Sequence, residues 1–131
     1  MSNRNLYPSQ SYGAGRVYME FELKGAGASA LTLSTDAAQA VASVSRSGVG
    51  VYVVTLKDAF WKCVTKNAEL DDTLNDGAYA TCSDLTNEGT STPLTFTIRT
   101  RNAGGTATEA ASGRRIGVTL VLRNGAGWGQ S

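Results

Sequence analysis

A chain of 131 residues is long enough for one domain with its own core and too short for two. Twelve Lys and Arg against eleven Asp and Glu give a formal charge of +1, without the basic excess that marks a dedicated nucleic-acid binder. Histidine is absent, which removes the commonest general base and the usual partner of a nucleophile.

Residues 1–14 carry Asn, Ser, Pro and Gly around Leu6, Tyr7 and Tyr12 with no sustained period, and read as an extended N-terminal arm, either a frayed terminus or, as the spaced aromatics favour, a segment that orders on a neighbouring surface. No apolar run follows Met1, so no secretory leader is expected, and no stretch approaches the roughly 18 apolar residues of a membrane span. The first strand is expected at residues 16–24, where Val17, Met19, Phe21 and Leu23 alternate with Tyr18, Glu20, Glu22 and Lys24. Gly25-Ala26-Gly27 turns the chain, residues 30–34 suit a short strand, and residues 36–42 read as a loop or turn rather than a helix capped by Asp36.

Residues 41–56 form the clearest hairpin. Gly48-Val49-Gly50 is expected to supply positive φ at both glycines, and Tyr52, Val54 and Leu56 share one face of the returning strand. Its other face, Val51, Val53 and Thr55, is also largely apolar, which suggests cover on both sides by the core and by a partner or another segment. Ala59-Phe60-Trp61 is expected to plug one end of the core. Residues 62–70 and 78–85 are further strands, separated by the turn-rich Asp71-Asp72-Thr73-Leu74-Asn75-Asp76-Gly77. Leu94, Phe96 and Ile98 alternate with Thr95, Thr97 and Arg99, and Ile116, Val118, Leu120 and Leu122 alternate with Gly117, Thr119, Val121 and Arg123. Between these two strands, residues 102–113 read as a flexible surface loop.

Many short strands with turns between them, and no crossover helix, predict an all-β fold: an antiparallel β-sandwich or jelly roll. The expected organisation is an arm at 1–14, the β-sandwich domain at 15–124 and a glycine-rich C-terminal tail at 125–131 that contains Trp128.

No catalytic, cofactor-binding or metal-ligating residues are expected. Cys63 and Cys82 fit no zinc spacing and are expected to be reduced. An EF-hand register with Gly77 at its sixth position would start at Asp72 and put Leu74 and Ser83 where ligands belong, so a turn explains these acids better. Gly25-Ala26-Gly27 and Gly125-Ala126-Gly127 lack a following helix and are turns, not phosphate loops. Charge is unevenly distributed. Residues 68–98 hold six acids (Glu69, Asp71, Asp72, Asp76, Asp84, Glu88) and no base, while residues 99–123 hold five arginines (Arg99, Arg101, Arg114, Arg115, Arg123) against Glu109. Such blocks are either solvated loops or patches that meet complementary surfaces on other subunits.

Two stretches carry a resemblance: Val44-Ser-Arg-Ser-Gly-Val-Gly-Val-Tyr-Val-Val-Thr-Leu-Lys-Asp58, the hairpin, and Ala111-Ser-Gly-Arg-Arg-Ile-Gly-Val-Thr-Leu-Val-Leu-Arg-Asn124, the closing strand with its leading loop. Together they resemble small virion proteins of tailed bacteriophages, encoded among head genes. The resemblance implies a head decoration (cement) protein on the capsid surface, assembled in the host bacterial cytoplasm, commonly a homotrimer, that binds the major capsid protein and stabilises the head. It implies no enzyme activity, cofactor or membrane partner. By residue type, since aromatic and Arg anchors dominate interfaces, the expected contacts are Leu6, Tyr7, Tyr12, Arg114, Arg115 and Trp128. The competing readings are a head-fibre base, a tail component or a host-receptor (carbohydrate) binding virion protein, for which Tyr18, Tyr52 and Trp61 on an open face would be the signature.

Overall fold

The computed structural model describes residues 10–13, 16–71 and 75–123. Its elements are β1 (Gln10–Gly13), β2 (Arg16–Lys24), β3 (Thr32–Leu33), α1 (Ala37–Ala40), β4 (Val41–Gly48), β5 (Val51–Leu56), β6 (Lys62–Leu70), β7 (Tyr79–Thr86), β8 (Thr95–Arg101) and β9 (Arg115–Arg123). One sheet has the order β1-β2-β9-β6, with β3 on the same edge of β2 as β1; the other has the order β4-β5-β8-β7. Every pairing is antiparallel. The protein is a β-sandwich, as the alternation of its strands predicts.

Period-2 patterning explains the packing directly. Val17, Met19, Phe21 and Leu23 of β2 and Ile116, Val118, Leu120 and Leu122 of β9 point inward and are at most 5 % exposed. Tyr52, Val54 and Leu56 of β5 meet them from the second sheet with Phe96 and Ile98 of β8, all fully buried. Burying each such side chain contributes about 1.5–3 kcal/mol. Phe60 closes the core as expected, whereas Trp61 is 42 % exposed, with its ring beside Gly89.

Four expectations change. Residues 37–40 are one helical turn: Ser34 Oγ accepts from the Ala37 N–H at 3.1 Å, and Asp36 makes no side-chain cap. In the hairpin turn only Gly50 has positive φ, at +66°, because Gly48 remains in β4. Residues 10–13, placed in the arm by sequence, pair with β2 from Gln10↔Met19 to Gly13↔Arg16. Residues 102–113 are tied down: Asn102 Oδ1 accepts from the Gly104 and Thr106 amides, and Thr108 N–H donates to Thr100 O. The C-terminal end of this stretch is sewn to the Gly25 turn, with Gly27 N–H donating to Ala110 O at 3.0 Å and Gly113 N–H donating to Gly25 O at 2.8 Å. The second face of β5 is half-covered at Val51, Val53 and Thr55.

Candidate functional site

The charge blocks of the sequence meet each other within the chain. Arg114 opens the approach to β9 and is only 8 % exposed. Its Nε donates to Asp71 Oδ1 at 3.3 Å, its Nη2 to the Asp71 carbonyl at 2.9 Å, and its two terminal nitrogens to the two oxygens of Asp76. Asp71 Oδ2 also accepts from the Arg115 N–H at 2.8 Å. A second clamp joins β4 to the loop before β9: Arg46 donates to both oxygens of Glu109, which also accepts from the Gly50 N–H at 3.1 Å and the Tyr52 hydroxyl at 3.3 Å. On the outer face of the second sheet Arg99 donates to Ser83 Oγ at 2.6 Å and to Asp84 Oδ2 at 2.7 Å.

These contacts set the protonation states. Hydrogen bonds from Arg114 hold the Asp76 carboxyl down at about 2, and those from Arg46 and Gly50 hold Glu109 at about 2. Burial raises the Tyr52 phenol, whose oxygen also accepts from the Ala110 amide at 3.0 Å. Burial likewise raises the Cys63 thiol and pushes Cys82 to about 12, although Lys66 pulls the other way on both. Both cysteines are free and half-buried. The β-bulge after Cys63 leaves its N–H to Glu88, which accepts it at 2.6 Å.

A cleft of about 690 Å³ lies over the first sheet at its β6 edge. Gly117 is its floor. Glu22 on β2 and Glu69 on β6 stand directly opposite Gly117 in register, Asn67 and Arg115 line its length, and Tyr79 of β7 forms the far rim. Carboxylates, an amide and an exposed ring make a surface able to accept hydrogen bonds and stack. Among the described residues no three of His, Cys, Asp and Glu gather as a metal-ligand set.

Of the contact residues expected from sequence, Arg114 and Arg115 fall within the described part. Arg114 is engaged inside the chain, and Arg115 is exposed beside Asp71. Leu6, Tyr7 and Trp128 lie outside the described residues; Tyr12 lies in β1, where only the backbone is described. Tyr18 and Trp61 are exposed at 48 % and 42 %, and Tyr52 is buried, so among the described residues the open-face aromatics are Tyr18, Trp61 and Tyr79. The sequence reading missed the cleft. Gly117 interrupting an apolar-alternating strand was the available signal, because glycine weakens a strand unless something requires it. Comparison of the chain with protein-family models, with curated proteins and with solved structures finds no match.

Proposed function

We propose that the protein is a structural component of a tailed-phage particle, a head decoration (cement) protein that binds the major capsid protein and works by binding and packing, not catalysis. The observation that carries this reading is the way the loops are fastened to the sandwich. The Arg114–Asp71–Asp76 and Arg46–Glu109 clamps tie segments 38 to 63 residues apart in sequence to the sheet frame. A module whose loops are fixed in this way keeps its surface shape under strain, which a shell-stabilising protein requires. The resemblance of the hairpin and the closing strand to phage head proteins supports the same role. Co-sedimentation with capsids lacking the protein tests it. Saturable binding at fixed stoichiometry, with shells more resistant to heat, is the expected outcome; no binding sinks the proposal.

A second reading has its own observation. The cleft over Gly117, with Glu22, Asn67 and Glu69 as hydrogen-bonding groups and Tyr79 as a stacking ring, suits a carbohydrate on a host surface. A virion protein of the fibre-base, tail or receptor-binding kind would carry such a cleft. A glycan array with wild type and Tyr79→Ala distinguishes it: specific signal lost in the variant favours this reading, and a blank array removes it.

A further inference from the structure

Among the described residues Gly117 has no task inside the chain. It lies mid-strand in β9, in regular register with Glu22 on one side and Glu69 on the other, without a bulge. Its backbone φ is not in the left-handed region, and a Cβ there would meet nothing within 4 Å. Neither conformation nor packing therefore asks for glycine, although a β-branched residue would hold the strand better. An interior glycine of this kind marks a place where something from outside approaches closely.

The rows around it show what approaches. The outer face of β2, β9 and β6 is crossed by ordered rows of side chains. Arg16, Arg123 and Lys62 form one row, Tyr18, Val121 and Thr65 the next, then Glu20, Thr119 and Asn67, then Glu22, Gly117 and Glu69, and last Lys24 and Arg115. The bulge residue Val64, 42 % exposed, adds to the row of Tyr18. Three cations, Arg16, Arg123 and Lys62, stand side by side on neighbouring strands. Two rows beyond the Tyr18 row, two carboxylates flank a notch with no side chain.

We infer that this face is the contact surface for a second copy of the chain, packed sheet to sheet about a two-fold axis that runs across the strands between the Tyr18 row and the Glu20 row. The two-fold lays the row of Arg16, Arg123 and Lys62 in each copy over the acidic row of the other. Arg16 meets Glu22 of the second copy, Lys62 meets Glu69 of the second copy, and the place of Arg123 falls over the notch at Gly117. Tyr18 lies over Glu20 of the second copy, its hydroxyl suited to donate to that carboxylate. The contact is isologous, so one set of rows satisfies both copies at once. Strand spacing makes the three-stranded face about 15 Å by 30 Å, roughly 450 Å² a side, against about 800 Å² in a standard interface. The dimer is accordingly dependent on concentration and on salt.

This inference stands apart from the capsid reading: a dimer that ignores capsids sinks that reading alone. It opposes the glycan reading, because the pairing covers the cleft. It also makes the elementary unit a pair of copies where the phage resemblance implies three.

Sedimentation equilibrium of the full chain at low and high salt tests it, with far-ultraviolet circular dichroism to verify folding. Wild type is expected to form a dimer that salt weakens. Arg16→Glu with Lys62→Glu, and separately Glu22→Lys with Glu69→Lys, should each weaken association about tenfold or more. An equimolar mixture of these two variants should associate again, since every row then faces its opposite. Gly117→Val should weaken the dimer while leaving the monomer folded. A protein that stays monomeric at low salt, or an oligomer of any size indifferent to these three variants, overturns the inference.

Discussion

Arg114 holds Asp76 by a two-point ion pair, Nη1 to Oδ2 and Nη2 to Oδ1, each at 2.9 Å, across 38 residues of sequence. The same guanidinium reaches Asp71, so one side chain pins both ends of the β6–β7 connection to the entry of β9. Its neighbour Arg115 shares Asp71 from the exposed side, at 3.4 Å. Burial separates the two roles.

Arg114→Ala should therefore lower the thermal midpoint by several degrees, since it leaves two carboxylates without their cation and opens space beside β9. Arg115→Ala should change it by about a degree or less, as an exposed pair contributes little. Thermal unfolding of both variants against wild type checks the order. Equal effects would mean that the clamp is not what holds this loop.

Acid should release both clamps. Asp76 is lowered from 3.8 and Glu109 from 4.5, each to about 2. A carboxylate whose folded value lies below its unfolded value contributes stability that is complete above the unfolded value and is lost as pH falls toward the folded one. Stability should thus be level at neutral pH, begin to fall near about pH 4.5 and keep falling to about pH 2. Glu109→Gln should be less stable than wild type at pH 7, with the gap closing through that window. A gap that stays constant from neutral pH to about pH 2 would assign the loss to something other than this carboxylate.

The sandwich was legible where burial obeys a short period. Val17 to Leu23 and Ile116 to Leu122 alternate so regularly that strand, inner face and core membership follow from sequence alone. The clamps were not legible. Acids at 71 and 76 and the arginine at 114 are visible as opposite blocks, but which charge meets which depends on β6 lying beside β9, a tertiary fact. Helix α1 escaped for a related reason. Four residues give no period to read, and the Ala37 N–H is capped by Ser34 Oγ rather than by the Asp36 side chain.

Gly50 and Gly27 share φ of +66° but differ in surroundings. A Cβ on Gly50 would lie 2.7 Å from the carbonyl oxygens of Thr100 and Thr108, whereas one on Gly27 meets nothing within 4 Å. Gly27→Ala should cost about 1 kcal/mol, the strain of the left-handed backbone alone. Gly50→Ala should cost about 2–4 kcal/mol, because backbone must also move and the Gly50 N–H that Glu109 accepts shifts with it. Urea unfolding of the pair measures the difference; equal costs would remove the steric part of this account.

Cys82 should be chemically quiet although it is not fully hidden. Its side chain faces the core from β7, and burial pushes its thiol to about 12, more than the nearby Lys66 ammonium can offset. The thiolate is the reactive species, so at neutral pH only a minute fraction of Cys82 can attack an alkylating agent. Intact-mass and peptide analysis after iodoacetamide at pH 7.5 should show Cys82 unlabelled over a time in which the urea-unfolded chain is labelled completely. Raising the pH toward 9 while the protein remains folded should change this little, because the thiol is still protonated there. Labelling of native Cys82 at the unfolded rate would show that the β7 edge opens to solvent, and that burial is not what sets its reactivity.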